Sequence, residues 1–205
     1  MTSSYPVQFG VDFPARPLDR VATAFRIFAA IPILIVLGLI SADTMQGDHH
    51  TTTTFASGVG LLFLPLVLML LFRQKYPRWW FDWNLNLLRF SNRVTAYLAL
   101  LDDRYPSTDE EQGVHLELAY PDAQQLNRWL PLVKWFLAIP HYVVLFFLGI
   151  AAIGAVVIAW FAILFTGTYP RSLFNYVVGV LRWSNRVSAY AFLLVTDQYP
   201  PFRLN

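Results

Sequence analysis

The chain has 205 residues, and its composition differs from that of a soluble domain. Apolar residues make up 56% and charged residues 14%, whereas soluble domains contain about 45–50% and about 25%. The mean hydropathy of +0.45 indicates a protein that lies in lipid, and the absence of cysteine excludes disulfides and thiolate metal sites.

The first half of the chain, residues 1–106, is predicted to contain one strand, two membrane spans and one amphipathic helix. Apolar and polar residues alternate over residues 5–13, which is typical of a strand. Residues 21–40 and 55–72 are apolar runs of roughly the 20 residues that a helix needs to cross a bilayer. Residues 79–101 separate apolar from charged side chains on two helix faces, which predicts a helix lying in the membrane interface.

The second half, residues 107–205, is predicted to repeat these elements in the same order. Residues 114–120 alternate as a strand, and residues 172–195 form the second interfacial helix. A long apolar run separates them, and it is about twice the length of one span. We therefore expect two spans there, at 130–150 and 151–168, joined by a turn at the glycines near 149–154.

Both halves contain copies of one motif. Tyr76-Pro-Arg and Leu88-Arg-Phe-Ser-Asn-Arg-Val-Thr-Ala-Tyr97 recur as Tyr169-Pro-Arg and Leu181-Arg-Trp-Ser-Asn-Arg-Val-Ser-Ala-Tyr190. Such self-similarity at a fixed spacing indicates an internal repeat. The predicted fold class is an all-α membrane protein with four transmembrane helices, arranged as two parallel-topology two-helix repeats. Each repeat has an amphipathic interfacial helix and one short cytoplasmic β-strand.

The basic residues are distributed unevenly around the predicted spans. None of the 15 Lys and Arg residues lies in the loop at 41–54 or in the turn near 149–154. The positive-inside rule therefore places both termini and residues 73–129 in the cytoplasm. The same distribution explains the pI near 9.0 without nucleic acid. Arg26 and Lys134, in the first turns of their spans, are expected to snorkel to the membrane surface.

The two predicted strands are expected to pair with each other. Parallel repeats are related by a two-fold axis along the membrane normal, and equivalent strands that cross such an axis run antiparallel. Pairing within one chain satisfies the backbone groups of both strands. The rival arrangement pairs the same edges between two chains.

The repeated arginine motif is the best candidate for a binding site. On a helix its arginines share one face beside an apolar face, which sets them at the level of lipid phosphates. One interpretation is a specific lipid-headgroup site, and the other is a generic anchor with structural hydrogen bonds between the repeats. The six candidate residues are Arg89, Asn92, Arg93 and their copies Arg182, Asn185 and Arg186.

His141 is an intramembrane polar candidate because it lies inside a predicted span. Ionisable groups at such a depth often mark a functional site. However, Ile33 occupies the matching position in the first half, and no acidic residue lies inside any predicted span. The alternative is a neutral histidine that bonds to a carbonyl freed from the helix by Pro140.

At the paired Tyr-Pro-Arg and Arg-x-Ser-Asn-Arg-Val-x-Ala-Tyr motifs, the chain resembles a bacterial membrane-protein family. That family is catalogued as domain of unknown function four-three-eight-nine. The resemblance covers most of the chain, including both repeats. It implies the repeat architecture and a location in the bacterial inner membrane, but it carries over neither an activity nor a catalytic residue.

The expected function rests on the absence of recognisable catalytic motifs from the sequence. There is no phosphate-binding glycine loop, no metalloprotease motif and no nucleophile beside an evident base. We expect a non-enzymatic membrane protein without cofactor or metal, acting as an accessory or scaffold subunit that binds lipid or a larger membrane complex. Its expected partners are membrane lipids and either a membrane protein or a second copy, not nucleic acid. The alternatives are an oligomeric channel or carrier and, third, a lipid-modifying enzyme.

Overall fold

A computed structural model describes residues 5–14, 17–41, 66–108, 110 and 112–205 of the chain. Most of these residues are helical, and two strands form one small sheet. In chain order the elements are β1 (Val7–Val11), α1 (Arg20–Ser41), a π-helical turn (Met69–Arg73), α2 (Arg78–Leu98), β2 (Val114–Leu118), α3 (Leu130–Leu137), α4 (Ile139–Thr166) and α5 (Arg171–Ala191).

The two strands form an antiparallel ribbon within one chain, which confirms the predicted pairing. Phe9 lies opposite Leu116, and Val11 lies opposite Val114, so these apolar side chains share one face of the ribbon. β1 packs on α5 and β2 packs on α2. Both strands are shorter than the segments 5–13 and 114–120 that the alternation indicated.

The apolar run in the second half is one continuous helical segment, so the predicted turn near 149–154 is wrong. α3 and α4 follow one another directly through Ala138, and together they give a helical segment of 37 residues. Glycine lowers helix stability by only about 1 kcal/mol, and neither Gly149 nor Gly154 adopts a positive φ. Without a proline or a polar side chain beside them, these glycines do not interrupt the backbone hydrogen bonds.

The continuous segment changes the count of membrane helices. The predicted spans 130–150 and 151–168 are parts of the same helical segment, so four separate spans are not supported. Within the described residues, two helical segments are long and apolar enough to cross a membrane, Arg20–Gly38 and Leu130–Thr166. Most of the predicted span 55–72 lies outside the described residues.

α2 and α5 are the two predicted amphipathic helices, and each begins directly after a Tyr-Pro pair. They end before the limits that the sequence predicted, 79–101 and 172–195. Beyond each helix a leucine adopts the left-handed conformation, with φ of 63° at Leu100 and 56° at Leu194. This conformation is uncommon for leucine. Because both side chains are buried, packing stabilises the two helix ends.

The main core lies where the ribbon, α5 and one stripe of α4 meet. Ala155, Ala159 and Ile163 are the buried residues of that stripe, and they share a cluster with Phe174 and Val177 of α5. Small side chains at four-residue spacing allow two helices to approach closely. Many of the other bulky side chains of α4 are exposed, among them Phe146, Phe147 and Phe165.

Candidate functional site

The two asparagines of the repeated motif hydrogen-bond to each other between α2 and α5. Asn92 Nδ2 donates to Asn185 Oδ1, and Asn185 Nδ2 donates to Asn92 Oδ1, both at 2.8 Å. Each amide also donates to a carbonyl one turn earlier in its own helix, at 2.8 Å to Leu88 and 2.9 Å to Leu181. Both side chains are 6% exposed. The pair therefore joins the helices through a fully bonded buried contact.

The first arginine of each copy of the motif hydrogen-bonds to the backbone of the ribbon. Arg89 Nε donates to the carbonyl of Leu116 at 3.1 Å, and Arg182 Nε donates to the carbonyl of Phe9 at 2.9 Å. Phe9 and Leu116 are opposite each other in the ribbon, so the two arginines bind equivalent points on its two strands. This symmetry follows from the repeated sequence.

The second arginine of each copy binds the backbone that follows its helix. Arg93 Nη1 donates to the carbonyl of Ser107 at 2.9 Å. Arg186 donates to the carbonyls of Arg203 and Asn205 at 3.3 and 3.1 Å. Both arginines are buried. Burial lowers the pKa of the Arg186 guanidinium, and the nearby charges of Arg182 and Arg203 lower it further.

The six predicted site residues therefore meet in one region, where they have protein partners. The two asparagines touch directly, and the four arginines flank them on the side of the ribbon and of the backbone that follows each helix. The asparagine pair and the contacts of Arg89 and Arg182 are hydrogen bonds between the two halves, whereas Arg93 and Arg186 bind the backbone that follows their own helices. The lipid-headgroup interpretation stays a prediction.

Arg26 and Lys134 do not snorkel, and that expectation is wrong. Arg26 is 2% exposed and Lys134 is 0% exposed. Arg26 pairs with Asp103, and its Nη1 donates to the carbonyls of Tyr97 and Asp102. These acceptors lie in the last turn of α2 and directly after it, so the cation joins the start of α1 to the end of α2.

Lys134 forms the matching contact in the second half. Its Nζ lies 2.7 Å from Asp197 Oδ1 and donates to the carbonyl of Thr196 at 2.7 Å. It also lies over the ring of Tyr190 at 5.3 Å. Asp197 belongs to the second Asp-x-Tyr-Pro sequence, as Asp103 belongs to the first. Each half thus contains one buried cation that pairs with one aspartate. Both residues recur at matching positions in the two halves, and this repetition was the sequence signal that could have predicted the pairs.

His141 is enclosed by aromatic rings. Its side chain is 0% exposed, and Nδ1 accepts a hydrogen bond from Trp183 Nε1 at 3.1 Å. The Phe202 ring stacks on it with centroids 4.0 Å apart, and the Tyr199 ring lies at 4.7 Å. The partner is an indole and not the freed carbonyl that we expected. Nε2 has no hydrogen-bond partner among the described residues.

A polar cavity of about 610 Å³ lies beside the first arginine motif, between α2 and β2. We call it the Arg89 basin. Its walls include Asn86, Arg89, Arg93, Gln112 and Glu117. No group of three or more histidine or carboxylate side chains stands ready to hold a metal ion in the described ranges.

Comparison with known proteins found a similarity to a family within the second half of the chain. The family model described as Domain of unknown function (DUF4389) matches residues 129–203. No curated protein matches the chain, and neither does any solved structure. The matched segment contains the long apolar helices, the second arginine motif and the second Tyr-Pro pair. This similarity covers residues 129–203, and the family is the one that the paired motifs resemble.

Proposed function

We propose that this chain is a non-enzymatic integral protein of the bacterial inner membrane, acting as an accessory or scaffold subunit that binds membrane lipid or a larger membrane complex. The outer surface of the two long helical segments carries this proposal. Phe28 of α1 is 69% exposed and Phe165 of α4 is 78% exposed. Soluble monomers rarely expose apolar patches larger than a few hundred Å², so these helices require lipid or protein around them.

The role of the polar side chains supports a scaffold. Asn92 and Asn185 bond to each other, and Arg182 and Arg186 bind backbone carbonyls. Residues that bind each other and the backbone stabilise one arrangement of the helices, and they are not arranged for proton transfer or nucleophilic attack. A rigid membrane unit that presents its apolar surface to a partner is the function that these contacts favour.

The proposed orientation has both termini on the cytoplasmic side. The N-terminal residues, the segment between the two apolar helical segments and the C-terminal residues all contain basic side chains, and they contact one another. β1 pairs with β2, the hydroxyl of Tyr5 donates to the carbonyl of Gln198 at 3.1 Å, and Arg186 binds the carbonyl of Asn205. Segments in contact lie on one side of a membrane, so this orientation requires both ends of Leu130–Thr166 to lie on that side and the segment to enter the bilayer without crossing it fully. The positive-inside rule favours the cytoplasm as that side.

α2 is proposed to lie at the membrane interface, and α5 with it. Trp79 and Trp83 on α2 are 70% and 52% exposed. Tryptophan is favoured at the boundary between lipid and water. Spin labels at these two positions should report shallow and nearly equal depths in a bilayer. A depth near the bilayer centre at either position would contradict the interfacial placement.

Membrane integration and orientation are tested on the same cells. The protein should stay in the membrane pellet after carbonate extraction. A cysteine introduced by Glu117→Cys should react with an impermeant maleimide only after lysis, whereas one introduced by Asp48→Cys should react on intact cells. Labelling of the Glu117→Cys variant on intact cells would overturn the orientation.

The scaffold role is tested with purified protein in liposomes and in mild detergent. A scaffold should show no ion flux above that of empty liposomes, should leave radiolabelled phospholipid unchanged, and should retain lipid or a defined protein partner at fixed stoichiometry. Flux that rises with protein concentration would favour a channel, and conversion of the lipid would favour an enzyme.

A further inference from the structure

The two halves of the chain differ at the arginine that holds the ribbon. Arg182 makes two contacts: its Nε donates to the carbonyl of Phe9, and its Nη1 donates to the carbonyl of Leu204 at 3.1 Å. Arg89 makes the equivalent Nε contact with Leu116. Within the described ranges it has no counterpart of the second contact, and it lines the Arg89 basin instead. In the described ranges, no residue therefore bonds to Arg89 in the way that Leu204 bonds to Arg182.

A glycine and an asparagine at matching positions explain why the two sites differ. Gly179 of α5 lies against Leu204, and a Cβ there would approach the Leu204 Cβ to 2.8 Å and its carbonyl oxygen to 3.1 Å. The matching residue of α2 is Asn86, which is exposed and lines the basin. A peptide segment cannot lie over Asn86 as closely as Leu204 lies over Gly179. The basin therefore suits a smaller ligand that accepts hydrogen bonds.

The chemistry of the walls defines that ligand. Two guanidinium groups line the basin, Arg89 and Arg93, and the amides of Asn86 and Gln112 stand beside them. Glu117 is the one carboxylate among the described lining residues, so these described residues together carry a net positive charge. A guanidinium with neighbouring amide donors matches the geometry and charge of a phosphate group.

We propose that the Arg89 basin binds a phosphate group, carried either by a phospholipid headgroup or by a soluble phosphate ester. This inference deepens the lipid-binding part of the proposed function and rests on it, and it assigns the site to one half of the chain only. Arg89 is the principal ligand, because Arg93 already donates to the Ser107 carbonyl. Arg182 takes no part, because its matching position is filled by Leu204.

The test measures binding by the full chain purified in mild detergent. Native mass spectrometry counts the bound phosphatidylglycerol, and calorimetry measures glycerol 3-phosphate and inorganic phosphate. One equivalent is expected to bind, and Arg89→Gln should weaken binding about tenfold or more, because a hydrogen bond to a charged group has about that effect. Binding of phosphatidylglycerol alone identifies a lipid headgroup, whereas binding of the soluble probes identifies a free phosphate site.

Arg182→Gln is the matched control, since it removes the equivalent ribbon contact in the other half. It should leave the dissociation constant within about twofold if the basin is the site. Glu117→Gln provides a second variant that keeps both arginines, and it should tighten binding by removing the opposing charge. Equal affinity in the wild-type and Arg89→Gln proteins would refute the site, as would equal losses in both arginine variants.

Two further outcomes separate this inference from the proposed function. Lipid retention that is insensitive to Arg89→Gln and Glu117→Gln would leave the proposed lipid binding intact and would overturn the assignment to the basin. A wild-type protein that binds neither phosphatidylglycerol nor the soluble phosphates would overturn the inference together with the lipid-binding part of the function.

Discussion

Replacing Asn92 by alanine removes one half of the amide pair that joins α2 to α5. The change deletes both hydrogen bonds between the helices, and it leaves the Asn185 carbonyl oxygen without the donor it has in the wild-type protein. Asn185 keeps its own bond to the Leu181 carbonyl. The cost therefore comes from the two lost bonds and from one buried acceptor without a partner.

The magnitude follows from ordinary hydrogen-bond energies. Two neutral hydrogen bonds contribute about 1 kcal/mol each, and an unsatisfied buried group costs about 1–3 kcal/mol. We expect Asn92→Ala or Asn185→Ala alone to lower the free energy of unfolding by about 3 kcal/mol or more. The double variant loses the same two bonds and leaves no unsatisfied acceptor, so it should lose about 2 kcal/mol. The two single losses together then exceed the double loss by about 4 kcal/mol or more, which is the coupling energy between the sites.

The assay is a double-mutant cycle in detergent, with helical circular dichroism followed during denaturant titration. Ser91 and Ser184 supply the matched control, because they occupy equivalent positions next to the two asparagines. Their side chains share no hydrogen bond in the part of the chain that the structure describes, so their alanine variants should be additive. Additivity within about 0.5 kcal/mol at Asn92 and Asn185 as well would refute the contact between the helices.

Three further predictions address the buried charge, the continuous helix and a buried tyrosine. Lys134→Met should destabilise the protein by about 3 kcal/mol in detergent unfolding, because it leaves the Asp197 carboxylate without its buried partner. Gly149→Ala and Gly154→Ala should leave stability unchanged or raise it by up to about 1 kcal/mol, because a helix continues through both and an added Cβ meets nothing within 4 Å. Burial raises the pKa of Tyr169 from 10.0 to about 12. Because the unfolded tyrosine ionises first, stability should fall as the pH rises from about 10 to about 12, and Tyr169→Phe should reduce the fall in the unfolding midpoint.

Each of these predictions has an outcome that contradicts it. Adding Asp197→Asn to Lys134→Met should recover part of the lost stability, and no recovery would mean that the lysine acts only through packing. A loss of several kcal/mol in either glycine variant would favour the turn near 149–154. An unchanged pH dependence in Tyr169→Phe would mean that other groups control alkaline unfolding.

Local sequence signals were sufficient for the elements that they define directly. The Tyr-Pro pairs fixed where α2 and α5 begin, because proline ends the preceding segment and suits a helix start. The alternation over 5–13 and 114–120 predicted which side chains share one face of the ribbon, because successive side chains of a strand point to opposite faces. Repetition of the motif then predicted that equivalent strands pair.

The missed features depend on contacts between distant residues or on weak signals. Glycines near 149–154 lower helix propensity without stopping a helix, so the sequence could not distinguish a turn from a continuous helix. The burial of Arg26 depends on Asp103, which is 77 residues away, and snorkelling is the default expectation for a cation near the end of a membrane helix. The arginine contacts were missed because their acceptors are backbone carbonyls, which the sequence does not mark.

The polar groups of the described residues differ in how far the protein itself already binds them. The cations at the start of each apolar helical segment, Arg26 and Lys134, are buried and paired. The outer faces of these segments offer bulky apolar side chains, which bind lipid or protein without chemical selectivity. Arg89, by contrast, lines an open cavity beside the ribbon and retains donors beyond its one backbone contact. We therefore propose that selective recognition of a ligand belongs to the ribbon side and that the apolar helices provide the attachment to the membrane.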